Sequence, residues 1–416
     1  MNIFTFQVMF RTLATALLVA APSFAQATPV LAANANSSSV VYTTNDFAFS
    51  LYRHLALAPG DNVFFSPYSV STALAMTWAG ARGDTAAQMA KALGLDKLPI
   101  AAVASAFGQL QQSLGQTQTK ASARLVIANS LWPQLDHPIQ PDYVKLIQGD
   151  FAADITPVDY KIHVVDTIQH INAWVEDKTA KRINKLLHPG DVGPDTRLIL
   201  VNAIYFKGNW AEKFDTAATA PALFITADGK SKTIPFMHHK MNEARFAEVP
   251  GAPVPLQMLT LPYQDKELEF VALLPKSPRD LPVLEKNIST SQLIEWLGKL
   301  SAPRAVEVFL PKFKLEQRYS LVPPLQALGI SDAFTNQADF SGMDGARDLY
   351  VGGIIHQAFV EVNEEGTEAA AATSVGMRTL AVQVTPVFRA DHPFIFLIRD
   401  PATGSILFMG RLSNPE

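Results

Sequence analysis

The apolar positions of this chain fall into two rhythms, helical in the first half and strand-like in the second. Ser66-Pro67 has the form of a helix cap with proline at the first helical position. The run behind it, Val70 to Ala79, is apolar nearly all round, which predicts a buried helix. Thr85 and Gln88 stand at capping-box spacing, and Gly94 is placed to end that second helix. Ile168, Ile171, Trp174 and Val175 form an apolar stripe on another. From Arg197 to Phe206 the chain is apolar after the leading arginine apart from Asn202, the pattern of a strand covered on both faces. Val306, Val308 and Leu310 alternate, Pro311 interrupts, and Phe313 and Leu315 resume on a shifted phase, which predicts a bend or bulge. Ile354 to Val360 reads as a buried strand, and Phe394–Ile398 with Ile406–Met409 as a buried hairpin around Asp400–Gly404. Helices first and strands later predict an α+β fold with a large mixed sheet.

After Val360 the side chains shrink. Glu364-Glu365-Gly366-Thr367-Glu368-Ala369-Ala370-Ala371-Ala372-Thr373 puts Thr367, Ala369, Ala371 and Thr373 on one face at period two, and Glu368, Ala370 and Ala372 on the other. One face can be buried while the other stays in water. Alanine favours helix over strand, so the segment is compatible with an exposed loop, a short helix or an inserted strand.

A chain of 416 residues, 48% hydrophobic, can bury a large core. The net charge of -4 argues against nucleic acid as a partner. Arg11 precedes the apolar run Leu13 to Ala21, and small residues follow at Ser23, Ala25 and Ala27. That is the layout of an export signal, residues 1–25 with cleavage between 25 and 33, and the run is too short to span a membrane. Residues 34–39 then read as a polar tether before a single domain over 40–416. The chain has no cysteine. Packing alone must hold it, and no lipid anchor can form on a thiol. The expectation is an exported monomer, secreted or periplasmic, with no membrane contact.

Enzyme signatures are missing: no Gly-x-Ser-x-Gly elbow, no His-Glu-x-x-His helix and no phosphate-cradling glycine loop. His238-His239 is an adjacent pair, which on a strand points to opposite faces, so no metal site is expected there. Five blocks do carry a likeness: Asn62 to Met76; Leu200 to Trp210; Leu325, Leu328, Gly329, Ala333, Phe334 and Ala338 to Ser341; Arg389 to Phe394; and Gly410 to Pro415. In order and spacing, together with Glu364–Thr373, they resemble the serpin family from about residue 45 to 416, in an exported, bacterial-type member.

The resemblance implies a metastable fold with a large central sheet and an exposed reactive-centre loop. A protease cuts that loop, an acyl-enzyme forms, and the loop inserts into the sheet before the ester can be hydrolysed. Glu364–Thr373 looks like the hinge, whose small residues would enter the sheet without desolvating charge. Ser66, Ser69, Asn202 and His356 look like the shutter, where the central strands part. Trp210, Lys312 and Glu364 look like the breach, where the loop first enters, with a Lys312–Glu364 pair that if exposed is worth under ~1 kcal/mol. The family's spacing from the hinge glycine puts the scissile bond at Leu380-Ala381, whereas counting back from Arg389 puts it near Val382. Inserted length governs trapping, which favours the hinge-side count. Leu380 would suit a chymotrypsin-, subtilisin- or elastase-like protease, and Arg378-Thr379 is the trypsin-like alternative. The reading is thus a suicide-substrate inhibitor of serine proteases without a cofactor. A non-inhibitory binding or chaperone-like member is the rival, and a hydrolase lacks a candidate triad.

Overall fold

The structure is a computed structural model that describes residues 29–58, 60–118, 123–367 and 385–415. The reactive bond candidates Leu380-Ala381 and Arg378-Thr379, and hinge residues Glu368, Ala369, Ala370, Ala371, Ala372 and Thr373, lie outside the described residues, as does the N-terminal signal segment.

Six helices occupy the first half: α1 (Pro29–Leu55), α2 (Pro67–Gly80), α3 (Gly83–Leu93), α4 (Ile100–Gln118), α5 (Pro141–Asp150) and α6 (Val164–Lys178). The strands run β1 (Val63–Phe65), β2 (Ala123–Pro133), β3 (Asp154–Ile155), β4 (Leu198–Asn209), β5 (Ala220–Ile225), β6 (Ser231–Val249), β7 (Leu256–Pro262) and β8 (Glu269–Pro275). They continue with β9 (Arg304–Pro311), β10 (Phe313–Ser320), β11 (Gly353–Val362), β12 (Gly366–Thr367), β13 (Val387–Arg389), β14 (Phe394–Arg399) and β15 (Ile406–Leu412). The class is α+β, as the two rhythms predict. One sheet has nine strands, ordered β1-β15-β14-β8-β7-β6-β9-β13 with β5 on β6; the other has six, ordered β10-β11-β4-β2-β3 with β12 on β4.

The six-stranded sheet is mixed. β10 is antiparallel to β11, β11 is parallel to β4, β4 is antiparallel to β2, and β2 is parallel to β3. Side-chain alternation sends its two faces into different cores. Leu200, Ile204, Phe206, Ile354, Ala358 and Val360 join the main core with α1, α2 and α4, whereas Ile199, Val201, Ala203 and Ile355 pack with Ile171 and Val175 of α6. β4 is therefore apolar at successive positions because both faces are covered, as read from the sequence.

α2 is buried at every residue and is capped as expected: the Ser66 hydroxyl accepts the Ser69 N–H, and Pro67 takes the first turn. Gly94 ends α3 in the left-handed conformation at φ 68°. The capping box does not form. α3 begins at Gly83 after Arg82, so Thr85 lies inside the first turn. Its hydroxyl accepts the Asp339 N–H instead, and the Gln88 carbonyl accepts the N–H groups of Ser331 and Asp332. Tertiary partners outbid the local bonds. Residues 34–39 are not a tether either, because α1 runs through them from Pro29, and Ser37 Oγ donates to Gln109 on α4 at 3.0 Å. Alanines at 32, 33 and 35 favour that helical start. The break at Pro311 is larger than a bulge: β9 belongs to the nine-stranded sheet and β10 to the six-stranded one, with Lys312 at the corner.

Among the described residues no helix is long and apolar enough to cross a membrane.

Candidate functional site: the seam between β4 and β11

At the middle of the six-stranded sheet, Gly353–Phe359 of β11 pairs with Ile199–Tyr205 of β4 in parallel. Parallel neighbours have no direct connection, so this is where a further strand can enter without crossing a hairpin. At the upper end β11 turns back through Asn363–Gly366, and Asn363 and Gly366 face each other in an antiparallel bridge. The next residues already pair with β4, Gly366 opposite Asn209 and Thr367 opposite Gly208. Gly366 and Thr367 thus stand at the upper end of the seam, antiparallel to β4, with Gly366 also antiparallel to β11.

Gly366 is required there. Its φ of 142° is open to glycine, and a Cβ would lie 2.1 Å from the Gly208 carbonyl oxygen and 2.6 Å from Asn209 Cα. The flanking turn is pinned by Trp210, whose backbone N–H donates to the Glu365 carbonyl at 2.9 Å and whose indole N–H donates to the Asn363 carbonyl at 2.9 Å. Trp210 is buried, stacked on Tyr263 at 4.9 Å and edge-on to Phe214 and Phe270. Lys312 Nζ lies 2.8 Å from Glu364 Oε2, and Thr219 donates to Glu364 Oε1 at 2.8 Å. Burial alone would raise the Glu364 carboxyl, but the bonds from Lys312 and Thr219 outweigh it, and the net shift is downward. This pair is not the exposed one allowed for in the sequence: Glu364 is 7% exposed. Lys213 adds a second ion pair to Glu365.

Lower in the seam the structure brings Ser66, Ser69, Asn202 and His356 into one buried network. His356 stands opposite Asn202 in the register, and Asn202 stands opposite Asn129 of β2. The Ser66 N–H donates to His356 Nε2 at 3.0 Å, which fixes the tautomer with the proton on Nδ1, facing Asn202 Oδ1. The Asn202 amide donates to Ser69 Oγ at 2.6 Å and to Asn129 Oδ1; Ser69 Oγ donates to Asn129 Oδ1 at 3.1 Å. Ser66 Oγ donates to the Leu407 carbonyl at 2.6 Å, which links the network to β15 of the other sheet. Tyr319, opposite His356 on β10 and stacked on its ring, extends the row across a fourth strand.

Sequence reasoning missed Asn129 and Tyr319. Asn129 carries the same signal as Asn202, a lone amide inside an apolar run (Leu125 to Trp132), but that run was not read as a strand beside β4. Tyr319 gives no signal of its own.

Burial pulls the His356 pKa from its ordinary 6.5 down to about 3. A proton on Nε2 would face the Ser66 N–H, so the charged form has nowhere to bond.

A family model described as Serpin (serine protease inhibitor) matches residues 42–415. The leukocyte elastase inhibitor of Bos taurus is 42% identical over 86% of this chain and 94% of its own length. Serpin B8 of Homo sapiens is 42% identical over 89% and 97%. The crystal structure of uncleaved ovalbumin superposes with a TM-score of 0.82 at 31% identity, covering 91% of this chain and all of that one. The chain belongs to the serpin family.

Two predictions follow from the seam. His356 remains neutral in the fold down to about pH 3 while the unfolded chain takes a proton near pH 6.5. Its contribution to stability is therefore whole above pH 6.5 and lost progressively as the pH falls toward 3. Urea unfolding of wild type and His356→Gln between pH 6 and 4 should differ in slope by about 1.4 kcal/mol per pH unit, the wild type being steeper; equal slopes would remove His356 from the account. Gly366→Ala should expel β12 from the sheet. Amide exchange at Trp210, which donates to Glu365, should then quicken at least about tenfold, a loss of about 1.4 kcal/mol of local protection; unchanged exchange would mean that Gly366 is not a fixed point.

Proposed function

We propose that the protein is a suicide-substrate inhibitor that traps a serine protease irreversibly by drawing its own cleaved loop into the β4–β11 seam. The observation that supports this most strongly is the register. Continuing the pairing of β12 sets Ala369 level with Phe206 and Val360, Ala371 with Ile204 and Ala358, and Thr373 with Asn202 and His356. Both edges give the same answer, because His356 and Asn202 already face each other. The seam need only widen by one strand spacing, about 4.8 Å, with no sliding of β11 against β4.

Inserted in that register, Thr367, Ala369, Ala371 and Thr373 would share the face of Phe206, Ile204 and Val360, which belong to the main core, and small side chains would displace least there. Glu368 goes to the other face, level with the half-buried Lys207 and Glu361. One parallel contact is replaced by two antiparallel ones, and the new strand satisfies both rows of backbone groups.

In the trapping reaction the protease serine attacks the Leu380 carbonyl, the bond to the Ala381 nitrogen breaks, and that amine leaves with a proton from the protease. Insertion then carries the ester away with the loop, before water can release it. The relatives named leukocyte elastase inhibitor act on an elastase by name, and Leu380 suits the same kind of apolar pocket; chymotrypsin- and subtilisin-like enzymes are the related choices. Loop and acceptor sheet sit in one chain, so a monomer suffices. The exported, bacterial-type character rests on the N-terminal segment alone, Arg11 followed by the apolar run at 13–21; the two relatives named above come from mammals.

Incubation with elastase-, chymotrypsin-, subtilisin- and trypsin-like proteases should give a complex that survives boiling in detergent, releasing a C-terminal fragment that begins at Ala381. A fragment from Thr379 would move the bond to Arg378, one from Gln383 would give the longer register, and clean cleavage with full protease activity would favour the non-inhibitory alternative. Thr367→Arg places an unpaired guanidinium at the first buried position. It should raise the moles of protein consumed per protease trapped by at least about tenfold by slowing insertion relative to hydrolysis; unchanged stoichiometry would overturn the face assignment. Cutting between Thr373 and Leu380 should raise the melting temperature well above that of the intact chain, and a level or lower value would contradict metastability.

A further inference from the structure

His137, Asp344 and Asp348 lie about two hundred residues apart in sequence and meet where the loop leaving β2 touches the segment that leads into β11. Their ligand atoms all fall within 4.8 Å of one another. His137 Nδ1 is 3.4 Å from Asp344 Oδ2 and 3.7 Å from Asp348 Oδ1. At 3.4 Å the imidazole bond to Asp344 is long, against about 2.7–2.9 Å for a charge-assisted hydrogen bond, and Asp348 at 3.7 Å stands beyond hydrogen-bond reach. The His137–Asp344 separation matches the edge of a tetrahedron of ligands around an ion with bonds of about 2.0–2.1 Å, which is about 3.3–3.4 Å, and the other ligand atoms lie somewhat farther out.

We propose that these three residues bind a divalent transition metal ion of the Zn2+ class, with water in the fourth position. One imidazole and two carboxylates form a mixed N/O set, which suits Zn2+ and its neighbours better than Ca2+ or Mg2+. The surroundings orient the ligands. Gly345, at φ 85°, ends the short helical turn at Ser341–Asp344, and Asp344 Oδ1 accepts the Ala346 N–H at 2.9 Å, which turns Oδ2 toward His137. The backbone N–H of His137 donates to the Gln134 carbonyl at 3.0 Å, which fixes the turn that carries the imidazole. Electrostatics points the same way. The Asp344 side chain is 2% exposed, yet among the described residues no Lys or Arg pairs with it or with Asp348; each faces His137. A buried carboxylate without a permanent cation is costly, and a metal ion removes that cost. Asp348, its side chain 72% exposed, gives the site an open mouth and the freedom to close the longer distance. His238-His239 on β6, the pair that stands out in the sequence, is not part of this cluster: His238 Nε2 is bonded to Glu307 at 2.8 Å.

The test is calorimetric titration of the chelator-treated full chain with Zn2+, with Co2+ as a spectroscopic probe. One equivalent should bind, Co2+ should give the visible absorption of a four-coordinate site, and Zn2+ should raise the melting temperature. Asp348→Asn, at an exposed position that leaves the fold intact, should weaken Zn2+ binding at least about tenfold and abolish the thermal shift; His137→Ala should do the same. Absence of stoichiometric binding would overturn the proposal. So would binding that survives Asp348→Asn unchanged, because the ion would then sit elsewhere.

Discussion

The structure turns on one contact, the parallel pairing of β11 with β4. Both strands are buried on both faces and hydrogen-bonded across seven residue pairs. Yet β12 begins a third strand, antiparallel to both, at the upper end of that pairing. β12 is two residues long, and the proposed mechanism would extend it between β4 and β11. No disulfide locks either state, since the chain has no cysteine. The balance lies in packing and hydrogen bonds alone.

Two groups of bonds keep the seam closed. At its mouth, Trp210, Lys312, Thr219 and Lys213 hold the Asn363–Gly366 turn by backbone and carboxylate contacts. Lower down, Asn129, Asn202 and His356 form a polar row across three strands and bind Ser66 and Ser69 at the start of α2. In a dry core each broken bond leaves a polar group to be desolvated, at about 1–3 kcal/mol. Such a row resists partial opening and tolerates opening only when new partners arrive. In the proposed insertion a strand continuing β12 would bring Thr373 to that level and supply such partners.

Much of this was legible in the sequence because it rests on local pattern. The unbroken run at 197–206 demands a two-sided strand, and Asn202 within it demands a partner. Period-two counting of Glu364–Thr373 gives two faces by pattern alone, and of that segment only Glu364 to Thr367 lies within the described residues. What was not legible depends on distant partners. Thr85 and Gln88 spell a capping box but bond to residues 331–339, and the polar stretch at 34–39 continues α1. Pro311 marked a break, but nothing in the spacing says that β9 and β10 belong to different sheets or that Lys312 at the corner meets a largely buried Glu364. Asn129 was passed over because its importance comes from standing opposite Asn202. His137 could not be matched with Asp344 and Asp348 by any spacing rule.

The central claim is that the seam accepts a strand without a change of register, and a crystal structure of the protein cleaved between Thr373 and Leu380 tests it most directly. The account predicts β4 and β11 separated by one strand, with Thr373 flanked by His356 and Asn202 and the threonine side chain turned toward α2. Direct pairing of Gly353–Phe359 with Ile199–Tyr205 persisting after cleavage, or an inserted strand displaced by even one residue, would contradict it.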